Sequence, residues 1–323
     1  MNTPRYLQHI LRTLLAFFVL IGLSACQNET TLRIGANTWL GYEPLFLARQ
    51  QQTLPQGVSL HEYPTTAETL RAFRNRNLDV AALTLDEAVP LLLDDNQAAI
   101  ALVLSHSHGA DALLGQPELK RVTDLRGKVV GADSLTLGAY MLGRALELSG
   151  MDKKEVQIRS VSLEQQEATF LNREIDGLVT FEPILSRLQR QGAKVLFDSR
   201  SLPNEILDVL IVRPQQLNKS QRRQLRELVK VWFEHTETLV TQQDTAMQLV
   251  MTRQNLYNNE LQHALTLLRF YDREENQRLL AGPDSPQLRR TIENIAQTLH
   301  RLGLRPATTI PPQQPLFTSI GME

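Results

Sequence analysis

Between residues 32 and 212 the apolar positions come in short runs divided by polar turns, and after residue 220 they fall into helical stripes. The first run, residues 32–35, reads as a strand. It leads into Asn37, Thr38, Trp39, Gly41 and Tyr42, and Pro44 then opens an apolar helix start at residues 45–48. A strand, a polar and aromatic loop, and a helix N-terminus together form the rim of an open α/β sheet, where ligands dock. Gly41 allows a close backbone approach, and Trp39 and Tyr42 carry flat faces with polar edges. The same loop reads equally as a plug whose aromatics close the sheet edge.

Strand signals recur at residues 58–63, 80–83 and 100–104, then at 112–114, 129–132, 156–160, 178–180 and 195–197, with a last strand at 209–212. Helical patterns lie between them at 67–74, 86–93, 137–149, 163–172 and 183–191, and Gly150 and Gly192 are their stops. Such alternation predicts parallel pairing with right-handed crossovers, here in two successive sets. From Ser220 onward an almost purely helical chain is expected. Leu225, Leu228, Val229 and Trp232, then Leu261, Leu265 and Leu268, then Ile292, Ile295, Leu299 and Leu302 sit at helical spacing and read as core. Ser285 and Pro286 mark a helix start, and Gly282 and Gly303 mark stops.

The N-terminal segment changes the picture. Arg5, His9 and Arg12 precede an unbroken apolar run at residues 14–23. A run of about ten is half of the roughly 20 a spanning helix needs, so residues 1–25 read as an export signal. Leu23, Ser24 and Ala25 lead into Cys26, an arrangement that resembles the bacterial lipoprotein signal. That resemblance implies cleavage before Cys26 and lipid on its thiol, with firm membrane anchoring once more than one acyl chain is attached. An ordinary secretory signal is the alternative. Residues 26–31 then form a tether, and Gln27 resembles the outer-membrane sorting pattern. Cys26 is the sole cysteine, so the fold is expected to rest on its core without disulfides.

Residues 1–25 hold two arginines and no acid, which leaves 32 basic and 35 acidic side chains on the remaining 298 residues. That length suits two modest domains with full cores. The near-neutral balance, without any basic and aromatic stretch, predicts no nucleic-acid partner. His106 and His108 form an H-x-H pair near Asp111, but no fourth ligand is evident, and His61, His235, His263 and His300 lack ligand spacing, so no metal is expected. No nucleophile elbow, phosphate loop or dinucleotide motif occurs, and neither catalysis nor a cofactor is expected.

What remains is a set of strand ends. Thr84 and Asp86 end one strand and start a helix; residues 105–111, SHSHGAD, join the two sets; Asp133, Ser134 and Thr136 precede a helix whose N–H groups could hold an anion. Residues 180–183, with Glu182, repeat that arrangement, and residues 202–208 return toward the first sheet. Any one of these is ordinarily a helix cap, the default for Asp86. Several around one crevice fit a ligand better.

The ordered series IGANTWLGYEPLFLA, FRNRNLDVAALTLDEA, SHSHGADALL, VTDLRGKVVGADSLTLGAYML, EATFLNREIDGLVTFEPI and FDSRSLPNEILDVL resembles the periplasmic solute-binding proteins of the nitrate/sulfonate/taurine type and the related thiamine-precursor binders. The resemblance implies an α/β, two-lobed periplasmic-binding-protein fold of type II. Each lobe would be an open, mostly parallel sheet flanked by helices, and the lobes would close on a small ligand by hinge motion. It divides the chain into a first lobe at 32–106, a second at 107–204 and a completion of the first at 205–323. Carried over by position, the ligand contacts fall on Trp39, Gly41, Tyr42, Thr84, Ser107, Asp111, Ser134, Thr136 and Glu182, with Asp86 beside them.

The basic residue that a sulfonate or nitrate needs is not obvious at these positions. Asp86, Asp111, Asp133, Glu182 and Asp208 make the expected cleft acidic. That favours a cationic, zwitterionic or neutral ligand, with Trp39 or Tyr42 as a cation–π face. The implied function is a lipid-anchored extracytoplasmic receptor that delivers a small organic molecule to an ABC permease and its ATPase. The alternative is a ligand-binding partner of a membrane receptor kinase or cyclase. A pyrimidine synthase shares the fold, but its cysteine-rich motif is absent here.

Overall fold

A computed structural model describes residues 31–133, 137–280, 286–307 and 316–322. The export signal, Cys26, Ser134, Thr136, Gly282 and Ser285 lie outside those residues.

Strands β1 (Leu32–Asn37), β2 (Val58–Tyr63), β3 (Val80–Thr84) and β4 (Ala99–Ser107) alternate with helices α1 (Glu43–Gln50), α2 (Thr66–Arg74) and α3 (Leu85–Asp94). β5 (Asp111–Gly115) then begins a second set: β6 (Val129–Ala132), α4 (Leu137–Leu148), β7 (Gln157–Ser160), α5 (Gln166–Leu171), β8 (Gly177–Phe181), α6 (Ile184–Arg190) and β9 (Lys194–Asp198). β10 (Leu207–Val212) follows, then α7 (Lys219–Val240), α8 (Asp244–Gln254), α9 (Asn258–Thr266), β11 (Leu268–Phe270), α10 (Arg273–Leu279) and α11 (Pro286–Arg301).

These strands form two sheets, ordered β11-β4-β10-β3-β1-β2 and β7-β6-β8-β5-β9. β1 pairs in parallel with β2 and β3, and β6 does the same with β7 and β8. β10 lies antiparallel between β3 and β4, and β5 lies antiparallel between β8 and β9. Each lobe therefore repeats one plan, in which β-α alternation supplies strands running one way and one strand beside an interlobe crossing is wedged among them against the grain. The expected mostly parallel ladder is mixed for that reason, because hydrophobic pattern marks βαβ repeats but not a strand inserted between their products. β11 is a second departure. Leu268, expected on a helical stripe, starts a three-residue strand that pairs antiparallel with β4, too short to show a period of its own.

The central strands are buried along their whole length, as β3 (VAALT) and β10 (LDVLIV) show, because helices cover both faces. Thr65 starts α2 by accepting the Glu68 N–H at 3.2 Å, and Asn218 and Gln221 form a capping box on α7. Gly150 and Gly192, at φ +66° and +96°, end α4 and α6 in the left-handed conformation that glycine adopts freely. The C-terminal helices complete the core of the first lobe. Leu225, Leu228, Val229 and Trp232 of α7 share one apolar cluster with Leu32 and Ile34 of β1. Ile292, Ile295 and Leu299 of α11 share another with Ala88, Leu91 and Leu92 of α3. Each such side chain contributes about 1.5–3 kcal/mol on burial. Among the described residues no helix is long and apolar enough to cross a membrane.

Two connections join the sheets, one at residues 108–110 and one at 199–206. They are clasped together. Ser107 Oγ and Ser199 Oγ lie 2.7 Å apart, the Gly109 N–H donates to Ser199 Oγ at 2.7 Å, and the Ser107 N–H donates to the Ile206 carbonyl at 3.0 Å. Gly109, at φ +111°, lets the first connection turn there. Two crossings tied side by side form a hinge about which two lobes can close.

Candidate functional site

A cavity of about 250 Å³ is lined by Asn37, Trp39, Tyr42, Thr84 and Asp208 from the first sheet and its loops, and by Asp111, Ser160, Thr180 and Phe181 from the second. β1, β3, β7 and β8 end at this cavity, and the antiparallel β5 and β10 begin there, so strand ends of both sheets meet at one crevice.

Asp208 organises the first wall. Its Oδ2 accepts from Trp39 Nε1 at 3.0 Å and Ser105 Oγ at 2.6 Å, and its Oδ1 accepts from the Tyr42 hydroxyl at 3.1 Å. Burial lifts its pKa to about 6, while the Ser105, Trp39 and Tyr42 donors hold it down by favouring the anion. Gly41 makes the arrangement possible, since a Cβ there would stand 2.3 Å from Trp39 Nε1 and 2.9 Å from Ser105 Oγ. The close approach that Gly41 permits is thus that of the Trp39 ring. The loop is also fastened from behind. Gln254 Nε2 donates to the Thr38 carbonyl at 3.0 Å and also to buried Glu43, and Arg253 Nε donates to Glu43 Oε1 at 2.9 Å.

On the second wall, Thr180 Oγ1 donates to Gln166 Oε1 at 2.7 Å, and Phe181 meets Trp39 edge to face across the cavity, centroids 5.3 Å apart. Asp111, 2% exposed, keeps its Oδ2 without a hydrogen-bond partner. Burial pushes its pKa up to about 8, the Ser107 hydroxyl opposes this, and Asp208, Asp86 and Glu182 add repulsion. Glu87 spans the lobes, with Oε2 accepting from the Thr84 N–H at 3.1 Å and Oε1 from the Leu137 N–H at 3.5 Å.

The residues expected from sequence divide into three groups. Trp39, Tyr42, Thr84 and Asp111 line the cavity. Gly41, Asp86, Ser107 and Glu182 stand behind its wall: Gly41 under the Trp39 ring, Asp86 in the first turn of α3, and Ser107 in the hinge clasp. Glu182 accepts from the Ser186 N–H at 3.2 Å and the Ser186 hydroxyl at 2.8 Å, which makes it a cap of α6. Ser134 and Thr136 are outside the described residues, although Asp133 and Leu137 on either side line the cavity. Asn37, Ser160 and Phe181 were not among the expected contacts, and Asp208 was expected only as part of the cleft's acidic charge. Each sits at the cavity end of its strand, a signal that could have been read once strand directions were known. His106 packs edge to face on His108 and against Tyr271, and no metal-ligating group of three or more gathers among the described residues.

A family model described as the NMT1-like family matches residues 25–267, three quarters of the sequence, and the chain belongs to that family. A search of curated proteins found no match. Among solved structures, the periplasmic aliphatic sulphonate binding protein SsuA from Escherichia coli is similar over 91% of this chain and 99% of its own, with 17% identity and a TM-score of 0.72. The alkanesulfonate-binding protein SsuA from Xanthomonas axonopodis pv. citri, bound to MOPS, is similar over 89% and 96%, with 16% identity and a TM-score of 0.71. A ligand-binding component of an ABC-type import system from Staphylococcus aureus, with zinc bound, is similar over 91% and 98%, with 14% identity and a TM-score of 0.69. At these identities the likeness is one of fold, and the fold is that of periplasmic solute-binding proteins.

Proposed function

We propose that this member of the NMT1-like family is the ligand receptor of an ABC-type importer. It captures a small organic molecule between its two lobes and presents it to a permease and ATPase on the extracytoplasmic face of the membrane. The observation that carries this reading is the cavity of about 250 Å³ whose walls come from strand ends of both sheets. Closure about the clasped crossings would remove a ligand from water on both sides, which is where the affinity of such a receptor arises. Lipid on Cys26 would keep the receptor beside its permease, the arrangement that one-chain anchoring alone would make only marginal.

A thermal-shift screen of the purified chain against small anions, cations, amino acids and neutral heterocycles tests the reading. Ligand at a hundred times its dissociation constant adds about 2.7 kcal/mol to stability. A shift from one chemical class, lost in Trp39→Ala, is the expected result. No shift from any class would overturn it. Anchoring is tested separately by palmitate labelling, which Cys26→Ser should abolish.

A further inference from the structure

The cavity leaves two acceptors unpartnered while its Trp39, Tyr42 and Thr180 donors are engaged, and the Thr84 hydroxyl is also left unpartnered in its lining. Asn37, 6% exposed, donates through Nδ2 to Thr66 Oγ1 at 2.8 Å, and its Oδ1 is left unpartnered. Asp111 leaves Oδ2 unpartnered in the same lining, and Asp208, Glu87 and Asp133 add further carboxyl groups. The strongest donors in the wall are already engaged. The Trp39 indole N–H and the Tyr42 hydroxyl are turned to Asp208, and the Thr180 hydroxyl is turned to Gln166. No lysine, arginine or histidine lines the cavity among the described residues.

A buried acceptor without a donor is costly, and a buried carboxylate without a counter-charge more so. Two such acceptors in one cavity remain incomplete until a guest brings N–H groups. A sulfonate or nitrate brings more acceptors and another negative charge, so it worsens both deficits. An organic cation relieves both, and the rings of Trp39, Tyr42 and Phe181 suit its carbon skeleton and its charge.

We infer that the site takes a small organic cation bearing N–H donors, an amine, amidine or guanidine, whose charged nitrogen lies between Asp111 and Asp208 and donates to Asp111 Oδ2 and Asn37 Oδ1. This rests on the receptor reading above and narrows it to one charge class.

Calorimetric titration of the purified chain with putrescine, agmatine and benzamidine, and in parallel with methanesulfonate and nitrate, tests it. The expected result is binding of at least one cation and of neither anion. Asp111→Asn should weaken that cation at least tenfold, and Asn37→Leu severalfold. The second substitution keeps the test open if the first fails to fold. Binding of an anion and of no cation overturns the inference and leaves the receptor reading standing. Cation binding that survives both substitutions unchanged places the charge elsewhere and overturns it too. Binding of neither class overturns it as well, and the receptor reading then stands or falls on the neutral compounds of the wider screen.

Discussion

Among the carboxyl groups that line the cavity, Asp208 of the first lobe and Asp111 of the second are prepared in opposite ways. Asp208, on the first lobe, accepts from the indole of Trp39, the phenol of Tyr42 and the hydroxyl of Ser105, so burial raises its pKa only to about 6. Asp111, on the second, has an unpartnered oxygen and neighbours of its own sign, and it rises to about 8. Near neutral pH Asp208 is thus mostly an anion whose geometry is fixed at folding, while Asp111 mostly keeps its proton. The pair separates two tasks. The first lobe presents a rigid aromatic and acidic platform, and the second supplies the group whose state a cationic ligand would change.

The largest effect should come from breaking the platform. Asp208→Ala leaves three donors without their acceptor, each costing about 1–3 kcal/mol when buried. Affinity measured by calorimetry should fall at least about a hundredfold, and the melting temperature should fall with it.

Asp111→Asn should separate binding from stability. The folded pKa of Asp111, about 8, lies above the ~3.9 of an unfolded aspartate. Between those values the folded chain holds a proton that the unfolded chain releases. The stabilisation it gives is therefore complete below about pH 4 and declines by about 1.4 kcal/mol per unit up to pH 8. Melting curves should show the native chain losing stability from pH 5.5 to 8, with Asp111→Asn losing less of it while binding a cation more weakly. The same proton opposes binding. The groups facing Asp111 are the Ser107 hydroxyl and the acids Asp208, Asp86 and Glu182. Agmatine, whose guanidinium stays charged throughout, should therefore bind about tenfold more tightly at pH 9 than at pH 7.

Gln254→Leu should have a smaller effect, a few-fold loss of affinity. It frees the Thr38 carbonyl and loosens the Trp39 loop without touching the cavity. Ser186→Ala should have the smallest, below about twofold on binding. It removes one donor to Glu182, and its cost of about 1 kcal/mol should appear in the melting curve instead.

Much of this molecule was legible in sequence because its strands are buried and regular. β2 spans the predicted residues 58–63, and β6 spans 129–132. Trp39 and Tyr42 were legible for a related reason, since a strand, an aromatic loop and a helix start place them at a rim. Asp86 and Glu182 were harder. An acid beside a helix start can cap the helix or meet a ligand, and only side-chain direction decides between these. Glu182 turns to Ser186. Asp208 is the opposite case. It reaches Ser105 of β4 because β10 is wedged between β3 and β4, a pairing that no local pattern encodes.

The most direct measurement is the emission of Trp39 during titration with whichever compound gives binding heat. The chain has two tryptophans, and Trp232 is buried in the first lobe's core, where it gives a constant background. A ligand between the lobes should change the emission saturably, with the same midpoint as the heat. Binding heat without any change in Trp39 emission would put the ligand outside this cavity and contradict the account.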